Sequence, residues 1–139
     1  MNVYVDSSVV LRVILGEPGR LASWERIDEA VSSELIRVEC LRTIDRARIR
    51  LGLADTAIAR HRADVLEVIA SMGLVPVSTI VLERAAEPFP TLLGSLDALH
   101  LASALLIRDR YDGLVFATHD GALAVAARSM GFAVEGEPS

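Results

Sequence analysis

Short apolar runs without polar interruption, each followed by a longer stretch with helical spacing, leave this chain few folds to adopt. Val3-Tyr4-Val5, Ala30-Val31-Ser32-Ser33, Leu74-Val75 with Val77, Leu114 to Ala117 and Phe132-Ala133-Val134 each read as a strand. A continuous apolar strand is buried on both faces, and strands that alternate with helices specify a parallel sheet with helices on either side. The fold class expected is therefore α/β, a three-layer α/β/α sandwich with a central parallel sheet. It is expected to span residues 1–134 as one domain, with 135–139 as a frayed tail.

The helical stretches carry their own signals. Val9, Val10, Val13 and Ile14 follow the first strand, and Gly16, Pro18 and Gly19 stop that helix. A second amphipathic segment is expected from Arg20 to Glu29, with Leu21, Trp24 and Ile27 on one side. From Glu34 the apolar positions Ile36, Cys40, Ile44, Ala47 and Leu51 form one stripe, closed by Gly52. Asp55 opens a helix that runs to Met72 before Gly73, so 34–72 reads as an α-hairpin. Thr79 is expected to cap a short helix through Ala86, and Pro88, Pro90 and Gly94 mark a loop. The stretch 96–107 is apolar all round and should be buried on both sides. A last helix, Ala122 to Met130, ends at Gly131.

Composition narrows the function. With 139 residues the chain can bury a core without staples, and its single cysteine, Cys40, can form no internal disulfide. The N-terminus lacks the basic and apolar regions of a secretory signal, and the uncharged stretch Met72 to Leu82 is too short and too interrupted by Pro76 to cross a bilayer. A cytoplasmic protein with no membrane partner is expected. All fourteen basic residues are arginine. The absence of lysine excludes a P-loop, and it argues against receiver domains and haloacid-dehalogenase phosphatases, which place a lysine beside their acids. Aromatic content of 4% argues against a surface that stacks bases on exposed rings.

Four acids are candidates for chemistry. Asp6 follows the first strand, and Asp120 follows the Leu114–Ala117 strand after Thr118 and His119, so strand, hydroxyl, aspartate and helix recur at both ends of the chain. Ligands of an open parallel sheet lie beyond the carboxyl ends of its strands, where both acids would stand if those strands are neighbours. Helix capping accounts for either acid taken alone. Glu39 falls about 100° from the Cys40 stripe, at the border of core and solvent, and pairing with Arg42 is its plain alternative. Asp97 opens the apolar helix and needs a partner, with N-capping as its alternative. Four carboxylates in one cleft repel one another unless a cation lies between them. Oxygen ligands favour Mg²⁺ or Mn²⁺ over zinc. Such a site suits phosphodiester hydrolysis, in which ions activate a water, clamp the phosphate and stabilise the leaving oxygen.

The segments V-Y-V-D-S-S-V-V-L-R, S-S-E-L-I-R-V-E, S-L-D-A-L-H-L-A-S-A-L and A-T-H-D-G-A-L-A-V-A-A-R-S-M-G-F, in that order over nearly the whole chain, resemble a PIN-domain ribonuclease of the VapC toxin type. The resemblance implies that Asp6, Glu39, Asp97 and Asp120 form the acidic cluster that binds metal, and that Thr118 supports it, with Ser7 as a second hydroxyl. It further implies a PIN-like fold, RNA cleavage with Mg²⁺ or Mn²⁺, a homodimer, and inhibition by a cognate antitoxin protein. A catalytically silent PIN-fold binding module is the alternative from another class, and the presence of all four acids speaks against it.

The remaining candidates are weaker. Between Arg37 and Arg62, seven arginines face Glu39, Asp45 and Asp55, a local net charge of +4 in a chain of −5. Arg42 and Arg46 share a helix stripe with Glu39 and are read as substrate-binding, leading an RNA backbone to the acids; a plain solvated face is the alternative. Leu35, Val38 and Ile49 lie opposite the core stripe and are read as a subunit or antitoxin surface. His100 stands three residues after Asp97, but the chain has no second Glu-x-x-His motif, so a buried or partner-facing histidine is the reading. His61 is expected to be solvated, and His119 is given no role.

Overall fold

The computed structural model of the chain describes residues 1–136. Five strands, β1 (Asn2–Val5), β2 (Glu29–Ser33), β3 (Gly73–Val75), β4 (Val115–Ala117) and β5 (Ala133–Glu135), form one sheet in the order β3-β2-β1-β4-β5. Every neighbouring pair is parallel. Six helices connect them: α1 (Ser7–Ile14), α2 (Leu35–Arg50), α3 (Asp55–Ala70), α4 (Thr79–Ala86), α5 (Ser95–Ile107) and α6 (Gly121–Ser129). The chain winds outward from β1 to β3 and then returns to the other side of β1 with β4. The switch point of the sheet thus lies between β1 and β4, where Val5 stands beside Ala117.

Side-chain alternation along the strands creates the layers. Tyr4 and Phe116 point to one face and pack with Leu101, Ile107, Leu123 and Phe132 beneath α4, α5 and α6. Val3, Val5 and Ala117 point to the other and pack with Val9, Ile36, Cys40, Ile44, Val65 and Ile69 beneath α1, α2 and α3. Tyr4 and Phe116 stack with ring centroids 5.2 Å apart, which ties β1 to β4 at the centre of the first core. The three-layer sandwich expected from the sequence is the architecture observed.

Several local expectations are corrected. Residues 20–29 form no helix beyond a single 3-10 turn, Trp24–Arg26, in which Leu21 is buried and Trp24 only half-buried. The i, i+3 spacing imitates a helix, but the segment must turn directly into β2. Leu51 falls beyond α2 and is exposed, so the core stripe ends at Ala47. Ser78, rather than Thr79, caps α4 by accepting the Val81 N–H. Gly73 does not cap α3, which ends at Ala70; it lies within β3, and Val77 lies beyond that strand. Gly52 and Gly131, at φ 62° and 98°, do terminate α2 and α6 in the left-handed region that glycine tolerates. β5 continues through Glu135, the first residue of the expected tail, and Glu135 accepts a hydrogen bond from Ser23. Of the expected tail, 137–139 lie outside the described residues. Among the described residues no helix is long and apolar enough to cross a membrane.

Candidate active site

The ends of β1 and β4 are joined by hydroxyls. Asp6 is buried and caps α1, its Oδ1 accepting the Val9 N–H at 3.2 Å and the Ser8 hydroxyl at 2.5 Å. Its Oδ2 accepts the Thr118 hydroxyl at 2.5 Å. Each hydroxyl also accepts a backbone N–H from the turn after β4: Thr118 Oγ1 from Asp120 at 3.0 Å, and Ser8 Oγ from His119 at 3.1 Å. Asp120 is exposed and caps α6, its Oδ1 accepting the Leu123 N–H at 2.8 Å. Both acids therefore cap the helix that follows, and capping does not preclude a site role at the strand ends.

Helices bring the other two acids. Asp97 lies in the first turn of α5, whose N-cap is Gly94, so the expected N-cap alternative does not apply. Burial, followed by the charges of Asp120 and Asp6, pushes the Asp97 carboxyl up to about 6. Glu39 projects from α2 and, among the described residues, forms its ion pair with His100 rather than with Arg42. Its Oε1 receives the His100 Nε2–H at 2.6 Å, and its Oε2 receives the Ser7 hydroxyl at 3.4 Å. Burial raises the Asp6 carboxyl despite its hydroxyl partners. For His100, burial acts to lower the pKa, but Glu39, with Asp6 and Asp97 behind it, leaves it raised. Asp97 therefore feels the charges of Asp120, Asp6 and Glu39, and the four acids grade from buried Asp6 through half-buried Glu39 and Asp97 to exposed Asp120.

The family profile described as PIN domain matches residues 3–129. The chain belongs to the PIN-domain family. It is 30% identical over 138 residues to "Ribonuclease VapC47" of Mycobacterium tuberculosis (strain CDC 1551 / Oshkosh), covering 94% of this chain and 93% of that protein. It is also 30% identical over 135 residues to "Ribonuclease VapC46" of M. tuberculosis (strain ATCC 25618 / H37Rv), covering 95% of each.

Within this PIN domain the donor set suits a hard divalent ion. All four site acids offer oxygen, and the neighbouring soft or nitrogen donors are engaged or protonated. His100 has Tyr4 on one nitrogen and Glu39 on the other, and burial, then the charges of Glu39 and Asp6, push the Cys40 thiol up to about 12. Among the described residues no three His, Cys, Asp or Glu side chains already form a metal-holding cluster. Like charges repel, and a cation would lower the cost of drawing the acids together.

A cleft of about 280 Å³ opens beside Glu39, where Ser7, Arg42 and Arg46 meet Leu35, Val38 and Leu96. Arg42 and Arg46 are exposed, and Arg46 donates to Thr43 at 3.2 Å. Arg48 is instead committed to an ion pair with Asp55 across the α2–α3 hairpin. The apolar trio of Leu35, Val38 and Ile49 is divided: the first two line the cleft, whereas Ile49 lies outside it and is 88% exposed.

Two site residues have roles that the sequence pattern does not reveal. Ser8, rather than Ser7, supports Asp6, while Ser7 faces Glu39. His100 is buried and bonded to Glu39, 61 positions away, a partnership that no local spacing indicates. His61 is half-buried rather than solvated, and its Nδ1 lacks a hydrogen-bond partner among the described residues. His119 is also buried; its Nδ1–H donates to the Gly136 carbonyl.

The raised Asp97 carboxyl makes stability depend on pH in a definite direction. Between its ordinary value of 3.8 and about 6, the folded chain holds a proton that the unfolded chain has released. Stability of the metal-free protein therefore falls as pH rises through that window. In Asp97→Asn this component of the decline should disappear. Urea midpoints measured in chelator from pH 4 to 7 check this, and an unchanged wild-type slope in the variant would contradict the assignment.

Proposed function

We propose that this PIN domain is a metal-dependent endoribonuclease, the toxin of a toxin–antitoxin pair. The observation that carries the reading is that Asp97 is electrostatically coupled to Asp120, Asp6 and Glu39, with Asp6 and Asp120 following the two central strands β1 and β4. The two relatives named as ribonucleases support the substrate class. Asp6, Glu39, Asp97 and Asp120 would hold Mg²⁺ or Mn²⁺. When bound, the ion supplies Lewis-acid polarisation of the phosphate and of the attacking water. The chain's own part is to hold the acids in place and aim them. Thr118 and Ser8 hold Asp6 by its two oxygens, and the same hydroxyls fix the turn that carries Asp120. Ser7, Arg42 and Arg46 line the approach, where the guanidinium groups attract a phosphate backbone and lead it toward the acids. Cleavage by water leaves a 3′-hydroxyl and a 5′-phosphate without use of the RNA 2′-hydroxyl. The protein acts in the cytoplasm as a homodimer, and its antitoxin covers the cleft at Leu35 and Val38.

A PIN fold kept only for binding is the competing reading, and substitution of Asp97 separates the two. Wild type is expected to cleave RNA with Mg²⁺ or Mn²⁺ and to stop in chelator. Asp97→Asn should lose more than about 100-fold in rate, beyond the usual loss from removing a group that only supports a ligand, while its circular dichroism is unchanged. Equal cleavage by the variant would refute the enzymatic site.

For the substrate path, Arg42→Ala with Arg46→Ala should weaken RNA binding and lower the slope of log affinity against log salt by about 1 for each phosphate that an arginine no longer neutralises. An unchanged slope would mean that these arginines are only a solvated face.

Val38→Glu places a charge in the apolar part of the cleft and should weaken capture of the cognate antitoxin in a pull-down. Normal assembly would remove that surface from the proposal.

A further inference from the structure

His100 is a costly residue to place where it stands. Its side chain is 1% exposed, and buried polar groups are tolerated only when their hydrogen bonds are satisfied. Both ring nitrogens are engaged: Nε2 with Glu39 Oε1 at 2.6 Å and Nδ1 with the Tyr4 hydroxyl at 2.8 Å. Tyr4 is wholly buried in β1, its ring edge-on to the imidazole at 5.8 Å, and its hydroxyl also lies within reach of Ser103 and Ser32. Ser103 and Ser32 donate in turn to the carbonyls of Leu99 and Val5, each at 2.7 Å. One polar chain thus runs from β2 and α5, through Tyr4 and His100, to Glu39 on α2.

The chain has a direction. An ionised carboxylate can only accept, so Nε2 carries the proton that it shares with Glu39. Among the described residues the other Glu39 oxygen has one partner, the long 3.4 Å contact to Ser7, which leaves it lightly held. With both nitrogens occupied, His100 has no lone pair to offer a metal. We propose that His100 is a positioning residue, whose Nε2–H fixes one oxygen of Glu39 and presents the other to a divalent ion, with Tyr4 fixing the imidazole in turn. This rests on the reading of the four acids as a metal site.

The test is calorimetric titration of the metal-stripped full chain with Mn²⁺, with a thermal unfolding curve for every variant. His100→Ala is expected to weaken Mn²⁺ binding by about tenfold or more, the usual effect of removing a group that orients a ligand. His100→Gln should recover most of the affinity, because its amide nitrogen can take the place of Nε2. Tyr4→Phe keeps the core ring, removes only the hydroxyl, and should cause a smaller loss. A folded His100→Ala with wild-type affinity would overturn the proposal, as would equal losses in the Ala and Gln variants, since a merely structural histidine moves the melting temperature and not the affinity. Should His100→Ala not fold, Tyr4→Phe decides, with lowered affinity supporting the chain and unchanged affinity rejecting it. Asp97→Asn is the separate control: wild-type Mn²⁺ affinity in that variant would reject the metal site itself, whatever His100 does.

Discussion

Asp6 is a carboxylate taken almost entirely out of water, and a group so placed is destabilising unless its oxygens are paired. The Val9 N–H and the hydroxyls of Ser8 and Thr118 provide that pairing. Two of these partners do more than satisfy Asp6. Each hydroxyl gives its proton to Asp6 and receives a backbone N–H from the turn after β4, so the same two oxygens fix the distance between the two central strand ends. Loss of either hydroxyl would strand an acceptor on one side and a donor on the other, which costs more than a single exposed hydrogen bond. The placement of Asp120 follows, because its backbone is one end of the tie.

With two strand ends tied, α5 places Asp97 where it feels Asp120, Asp6 and the Glu39 of α2. Burial, and after it the charges of Asp120 and Asp6, pushes the Asp97 carboxyl up. Glu39 differs because it has an imidazole behind it, so its charge is already partly compensated. The site is therefore asymmetric: Asp6 and Glu39 are held by protein donors, whereas Asp97 makes no hydrogen bond through its carboxylate among the described residues. Asp97 is the acid with most to gain from a cation, a natural consequence of burying several like charges around one opening.

Much of this was legible in the sequence, for identifiable reasons. Uninterrupted apolar strands and glycine-stopped helices report on local physics, and they led to the parallel sheet and the α-hairpin. The repeated hydroxyl and aspartate after β1 and β4 pointed to the switch point because ligand sites lie at strand ends. What remained hidden depended on orientation or on distant partners. Successive serines at positions 7 and 8 look alike in sequence, yet the helical turn sends one toward Glu39 and the other toward Asp6. The Tyr4 partner of His100 is 96 positions away, and nothing in the spacing from Asp97 hints at it. Leu21, Trp24 and Ile27 misled for the opposite reason, since helical spacing in a segment this short is overruled by the need to enter β2.

Shared hydroxyls tie the ends of β1 and β4, and a cleft lined by Arg42 and Arg46 opens beside Glu39. Under the proposed function the four acids converge on a divalent cation. Anomalous diffraction from crystals grown with Mn²⁺ tests this most directly. The expected result is a peak beyond the ends of β1 and β4 with carboxylate oxygens of Asp6 and Asp97 within bonding distance; a map without a peak there, at saturating Mn²⁺, would contradict it.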